Sequence, residues 1–431
     1  MIRTALTATV VMAAFVVAAA AGPAAAAAGD GRWYYDDFGI ADHHAAGWTG
    51  DGITIAVLDG PVNTDVPTLK DANVEVREPS FCYGEDGKPL PATSTDLTGD
   101  NSAYHGTSVV SLISGTGDGY AGQAGVQGVA PGAKVLYYTV SQTTGLEAGG
   151  EVISCLDDEG NPGGTEIDDA MTEALDAGAD IITVSAGYIA SNMGDAYSRA
   201  IREGVIVLGS VGNTDDLEVS LGFPAGANGA VGVQAGSVDF QIQSTDGRPN
   251  DNSSTMVVGP GIGILAQGER DGAWEDQAVV DGTSLATPIV AGYLALAEQK
   301  WPDATGNQIL QDLVRSPWDD GQVYFDAEGL TGFGYPTATR MLERDPAQYP
   351  DVNPFLDVRP VNIPSTDEIF NPAAGTPDPS ATENPAPAPD STPLVGIVIG
   401  VLVGALVLAG IIVVVVVLVV RRSRRKPPSG N

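Results

Sequence analysis

Three histidines, His43, His44 and His105, are the only side chains of this 431-residue chain whose ordinary pKa lies near neutral pH. His43 and His44 stand together in a polar N-terminal segment and read as surface or packing residues. His105 is placed differently, at the mouth of a short apolar helix in Tyr104-His105-Gly106-Thr107-Ser108, where a first turn has no need of an imidazole. Three other polar residues also sit at element ends. Asp59 follows the apolar run Ile53 to Leu58, Asn213 follows Val205 to Ser210, and Ser284 lies in Asp281-Gly282-Thr283-Ser284-Leu285-Ala286, a loop of small residues entering an apolar helix. A hydroxyl is a poor nucleophile until a base takes its proton. The base needs a carboxylate to fix its tautomer, and a developing oxyanion needs a donor. An acid, an imidazole, an amide and a hydroxyl are all present, although each alone is weak and Ser284 by itself reads equally as an N-cap.

These residues need elements to position them. Ile53 to Leu58, Val135 to Val140, Asp180 to Ser185, Val205 to Ser210 and Gly229 to Ala235 are apolar enough to predict strands buried on both faces. Helical patterns follow at Glu166 to Ala177, Ala196 to Glu203, Ser284 to Lys300 and Asn307 to Arg315. Strand and helix in alternation predict an α/β domain, a mostly parallel sheet with helices on both sides. In such a sheet ligands bind off the carboxyl ends of the strands, where Asp59 and Asn213 fall.

The charge balance narrows the function. With 55 acidic against 20 basic residues the net charge is −35, which excludes a nucleic-acid binder. Every acidic residue lies between Asp30 and Asp390, a window that holds 14 of the basic ones. Residues 1–28, Ala-rich with the single charge Arg3, predict a secretory signal peptide, with an uncleaved anchor as the alternative. Residues 394–420 contain no polar side chain and are followed by Arg421-Arg422-Ser423-Arg424-Arg425-Lys426, so a single transmembrane helix with a cytoplasmic tail at 421–431 is expected. The basic flank speaks against a GPI-type signal. Gly396, Gly400 and Gly404 at four-residue spacing leave helix pairing open. Proline-rich residues 346–393 predict an extended linker, a stalk for a domain over 29–345. The two cysteines, Cys82 and Cys155, fall in the exported part, one in each of two long Gly/Pro/Asp-rich loops, and a disulfide between them is expected.

His105-Gly106-Thr107 and Gly282-Thr283-Ser284-Leu285-Ala286-Thr287-Pro288 resemble the His and Ser signatures of the subtilisin-like serine proteases. Gly212-Asn213 is similar to that family's oxyanion asparagine, and Gly332-Phe333-Gly334-Tyr335 resembles its domain ending. The order Asp, His, Ser along the chain is also the family's. The resemblance covers about residues 31–344 and implies a three-layer α/β/α serine endopeptidase acting on peptides and proteins. By position, it assigns Ser284 as nucleophile, His105 as base, Asp59 as its orienter and Asn213 as oxyanion donor. Ser185-Ala186-Gly187 would pair with substrate backbone, and Ser210, Val211 and Gly212 would line the primary pocket. One signature departs from the pattern. Gly60 and Pro61 follow Asp59 where the family usually has Ser or Thr and then Gly, so a supporting amide is missing at Pro61.

The stretch between the expected cleavage site at 28 and Asp59 is short, so no folded pro-domain is expected. Its Trp33, Tyr34, Tyr35 and Trp48 predict packing on the domain instead. Signal, stalk and anchor together resemble the mycosins of type VII secretion systems, which implies secretion components as partners. The alternative is a non-catalytic scaffold of the same fold. No cofactor is expected and no metal site is assigned; Asp157-Asp158-Glu159 and Asp215-Asp216 read as solvated surface. The overall acidity is expected to disfavour acidic substrates near the cleft.

Overall fold

The computed structural model describes residues 30–371 apart from 85, 100–101, 144–151, 154, 158–159, 161–165, 186–193, 214–221, 319–321, 327–329 and 360. The expected signal peptide, transmembrane helix and tail, with Ala186, Gly187, Asp158, Glu159, Asp215 and Asp216, lie outside the described residues. No helix among the described residues is long and apolar enough to cross a membrane.

Seven parallel strands form the central sheet: β1 (Thr54–Asp59), β2 (Val74–Val76), β3 (Lys134–Thr139), β4 (Ile181–Val184), β5 (Ile206–Ser210), β6 (Val231–Gly236) and β7 (Val257–Pro260). Their spatial order is β7-β6-β5-β4-β1-β3-β2. Five were expected. β2 and β7 were not, because Val-Glu-Val is too short to show a period and Val-Val-Gly-Pro ends in two residues that ordinarily break strands. β1 sits where the strand order reverses, between β3 and β4, with Leu58 opposite both Tyr138 and Val184. A reversal of that kind opens a crevice beyond the strand's carboxyl end, and the last residue of β1 is Asp59.

The side chains of β1 alternate between two cores. Ile55 and Val57 join the cluster under helices α1 (Tyr104–Ser114) and α4 (Thr283–Lys300). Ala56 and Leu58 join the opposite cluster under α2 (Glu166–Asp176) and α3 (Asp195–Glu203). α5 (Gly306–Leu313) starts from a capping box built by Thr305 and Gln308. The N-terminal segment packs on the domain as its aromatic residues suggested. Tyr34 is fully buried and donates to the Gln127 carbonyl at 2.6 Å, while Trp33 Nε1 reaches the carbonyls of Ile262 and Gly263. His43 and His44 bond to Thr339 Oγ1 and the Val129 carbonyl, as packing residues do. The disulfide Cys82–Cys155 is formed, across Cα atoms 4.8 Å apart.

The expected stalk requires a correction, since residues 346–371 fold onto the domain. Phe355 is fully buried with its ring 5.7 Å from that of Phe333, and Ile369, on a one-turn helix capped by Ser365 and Glu368, enters the second core. Arg359, 7% exposed, donates to the carbonyls of Ala227, Ala225, Ala230 and Ser254 at 2.6, 2.7, 3.2 and 3.3 Å. Burial lowers its pKa to about 10, which leaves it charged at neutral pH. Proline-rich composition concealed this strap, because three isolated anchors make no period. Arg359→Ala, which strands these carbonyls, is expected to lower the unfolding free energy by about 3 kcal/mol in urea. Arg359→Lys should recover only part of it, because an ammonium cannot spread over the same four acceptors.

Candidate active site

The site grows from the end of β1. The Asp59 side chain is fully buried, and its Oδ1 accepts from His105 Nδ1–H and from the Gly60 amide, each at 2.7 Å. Its Oδ2 is buried without a partner among the described residues, next to the Pro61 that has no N–H to give. Three consecutive residues of α1 make this contact. His105 supplies the imidazole. Gly106 lets the helix touch the turn after β1: a Cβ there would lie 2.0 Å from Tyr137 Oη and 2.6 Å from the Pro61 carbonyl oxygen. Thr107 Oγ1 accepts from the Asn63 amide at 2.9 Å, and Tyr137 Oη donates to the Gly60 carbonyl at 2.7 Å. A cavity of about 600 Å³ opens beside this turn, between residues 62–65 and 91–96.

Ser284, 6% exposed, is the second residue of α4, where the N-terminal amides and helix dipole favour negative charge. Gly282 precedes this turn, its amide bonded to the Gly261 carbonyl at 2.7 Å. A Cβ on Gly282 would lie 3.1 Å from Ser284 Oγ and 3.9 Å from Asn213 Nδ2, so the hydroxyl and the amide flank one small volume. The direction of the amide is set by Thr283, whose N–H and hydroxyl reach Asn213 Oδ1 at 2.9 and 3.2 Å. The carbonyl end is therefore occupied and the NH2 end faces the site. Asn250 Nδ2 donates to the Asn213 main-chain carbonyl at 2.8 Å, and Asn252 Nδ2 to that of Val211 at 2.6 Å, which fix the loop beyond β5.

Of the remaining expected residues, Ser185, Ser210, Val211 and Gly212 gather at the carboxyl ends of β4 and β5. Ser210 Oγ donates to the Ser185 carbonyl at 2.8 Å, Val211 is buried, and Gly212 takes a φ of +94°, which suits glycine. Thr283, Tyr137 and the two asparagines were missed as supports. Thr283 lay inside the quoted serine signature, but nothing local marks Asn250 or Asn252. No cluster of His, Cys, Asp or Glu that could hold a metal occurs among the described residues.

Burial pushes the His105 pKa down, but the Asp59 charge and hydrogen bond outweigh it, and the net shift is upward from 6.5; Arg270 acts weakly downward. A neutral imidazole bound to a buried carboxylate through Nδ1 presents Nε2 as a proton acceptor. A base so oriented, a hydroxyl at a helix N-terminus and an amide aimed at the same volume together suit acyl transfer.

Fold and site together define a serine endopeptidase of the subtilisin type. The chain belongs to the Subtilase family, whose profile matches residues 50–335. It is 29% identical to an intracellular serine protease of Paenibacillus polymyxa over 255 residues, 58% of this chain and 68% of that one. To subtilisin BL of Lederbergia lenta it is 29% identical over 290 residues, 67% of this chain and 91% of that one. The crystal structure of fervidolysin from Fervidobacterium pennivorans shares the fold, with a TM-score of 0.53 at 23% identity, covering 72% of this chain and 45% of that one. In an NMR titration the His105 imidazole should titrate above 6.5. In Asp59→Asn, with burial and Arg270 left acting alone, it should titrate below that value.

Proposed function

We propose that Ser284, His105 and Asp59 act as one catalytic unit. Ser284 Oγ attacks the scissile carbonyl as its proton passes to His105 Nε2, and the carbonyl oxygen, now negative, accepts from Asn213 Nδ2. His105 returns the proton to the leaving amine, giving an acyl-enzyme. Water, deprotonated by the same imidazole, then releases the acid and restores Ser284. Asp59 holds the tautomer and stabilises the imidazolium through its buried charge. The observation that carries this reading is the 2.7 Å contact of His105 with fully buried Asp59, combined with Ser284 and the Asn213 amide flanking Gly282. Ser185-Ala186-Gly187 pairs with the acyl half of the substrate, and Ser210 to Gly212 lie beside its last side chain. Recognition through main chain accepts many sequences.

In this proposal the enzyme is exported by residues 1–28 and held at the cell membrane by 394–420, with the catalytic domain outside and 421–431 in the cytoplasm. The apolar 394–420 run and its basic flank support this, and the mycosin-like architecture supports a role beside type VII secretion components. A non-catalytic scaffold is the second reading, favoured by the unpartnered Asp59 Oδ2. A fluorophosphonate should label the full-length protein and not its Ser284→Ala variant; equal labelling of both, or none, sinks the catalytic reading. Asn213→Ala should lower kcat by about a hundredfold or more, the known cost of losing such a donor in subtilisin, with little change in KM.

A further inference from the structure

Between β7 and α4 the chain makes a hairpin, Ile264–Gln267 paired with Gln277–Val280, that leads directly into Gly282 and Ser284. Its loop is fastened at several points. Trp274 Nε1 donates to the Thr95 carbonyl at 2.7 Å, Gln123 Nε2 to the Glu275 carbonyl at 2.7 Å and Gln277 Nε2 to the Ala124 carbonyl at 2.8 Å. Within the loop Glu269, Asp271, Gly272, Ala273 and Glu275 are exposed, whereas Arg270 and Trp274 are partly buried. Arg270 lies near enough to Tyr104 and His105 for its charge to act on both, while the neighbouring Glu269 acts on Tyr104 alone and in the opposite sense. Among the described residues it has no ion pair, although the chain carries 55 acidic side chains to 20 basic ones. A partly buried guanidinium whose charge reaches the imidazole, without an ion pair among the described residues of so acidic a protein, has its donors free for an anionic ligand.

Its position indicates which half of the substrate it meets. Ser185 and Ser210 to Gly212, which receive the acyl half, stand at the ends of β4 and β5. The hairpin docks instead on α1 and on the strand Ala124–Gln127, beside the imidazole that protonates the leaving amine. We propose that Arg270 binds a carboxylate in the leaving half of the substrate, so that the enzyme favours peptides with Asp or Glu just after the cleaved bond. This rests on the serine-protease reading above and runs against the expectation from overall acidity, since a charge that reaches the imidazole, not the net charge, sets the local preference.

The test uses the full-length protein and fluorogenic peptides identical on the acyl side, with Glu, Gln or Lys in the first two leaving-side positions and the C-terminus amidated. The kcat/KM ratio of the Glu to the Gln peptide should be roughly three- to tenfold in the wild type, close to one in Arg270→Gln and below one in Arg270→Glu. A wild-type ratio near one, or the same ratio in Arg270→Gln, overturns the proposal. A Gln peptide with a free C-terminal carboxylate identifies the source: if it alone gains from Arg270, the chain terminus is the ligand and the side-chain preference is overturned. Binding of labelled leaving-half peptides to Ser284→Ala gives a second measure that needs no turnover. A Glu preference there that disappears in the Ser284→Ala, Arg270→Gln double variant upholds Arg270 even if the wild type cleaves nothing. Equal binding of Glu and Gln peptides rejects Arg270 while cleavage itself upholds the protease reading.

Discussion

The contact between His105 and Asp59 joins the last residue of a central strand to the first turn of a helix, two elements whose register is set separately by the sheet and by helix packing. A hydrogen bond of 2.7 Å tolerates little error in either. The surrounding structure removes that error by close approach, since at Gly106 α1 meets the Tyr137 hydroxyl and the backbone of the turn after β1 with no side chain of its own in the way. The other half of the site is fixed by the same means. Asn213 is held by the Thr283 amide, so the residue before Ser284, the proposed nucleophile, also orients the proposed oxyanion donor. Little has to reorganise when a carbonyl arrives, which is the condition under which fixed dipoles stabilise a transition state most.

Much of this was legible in the sequence because it is local. The apolar runs that became β1, β3, β4, β5 and β6 are continuous, and where two of them end is enough to single out Asp59 and Asn213. His105-Gly106-Thr107 could be recognised as a motif, but why glycine stands in the middle could not, since the answer lies in Tyr137 and Pro61. The supports from Asn250 and Asn252 reach back about forty residues and leave no pattern. Composition misled at residues 346–371, where proline density suggested extension while Phe355, Arg359 and Ile369 were already enough to dock the segment.

The two sides of the cleft are held differently. On the strand side, the groups are buried and locked to one another, Ser210 to Ser185 and Asn252 to Val211. On the hairpin side, a fastened scaffold carries a loop that is mostly exposed, with one partly buried cation. Chemistry and selectivity are thus assigned to parts with different tolerance of substitution: a side chain at position 106 would displace α1, whereas a change at position 270 alters only a loop anchored elsewhere.

The strap at 346–371 and the N-terminal segment at 30–49 both lie outside the stretch that matches the family, yet each inserts fully buried anchors, Tyr34 in one and Phe355 and Ile369 in the other. The margins of a domain are ordinarily where a native protein opens first and at least cost. Here both marginal segments are part of the cores that sandwich the sheet, so detaching either exposes core surface. Fraying is thereby coupled to global unfolding, and the cooperative unit of this enzyme is wider at both margins than the catalytic fold itself.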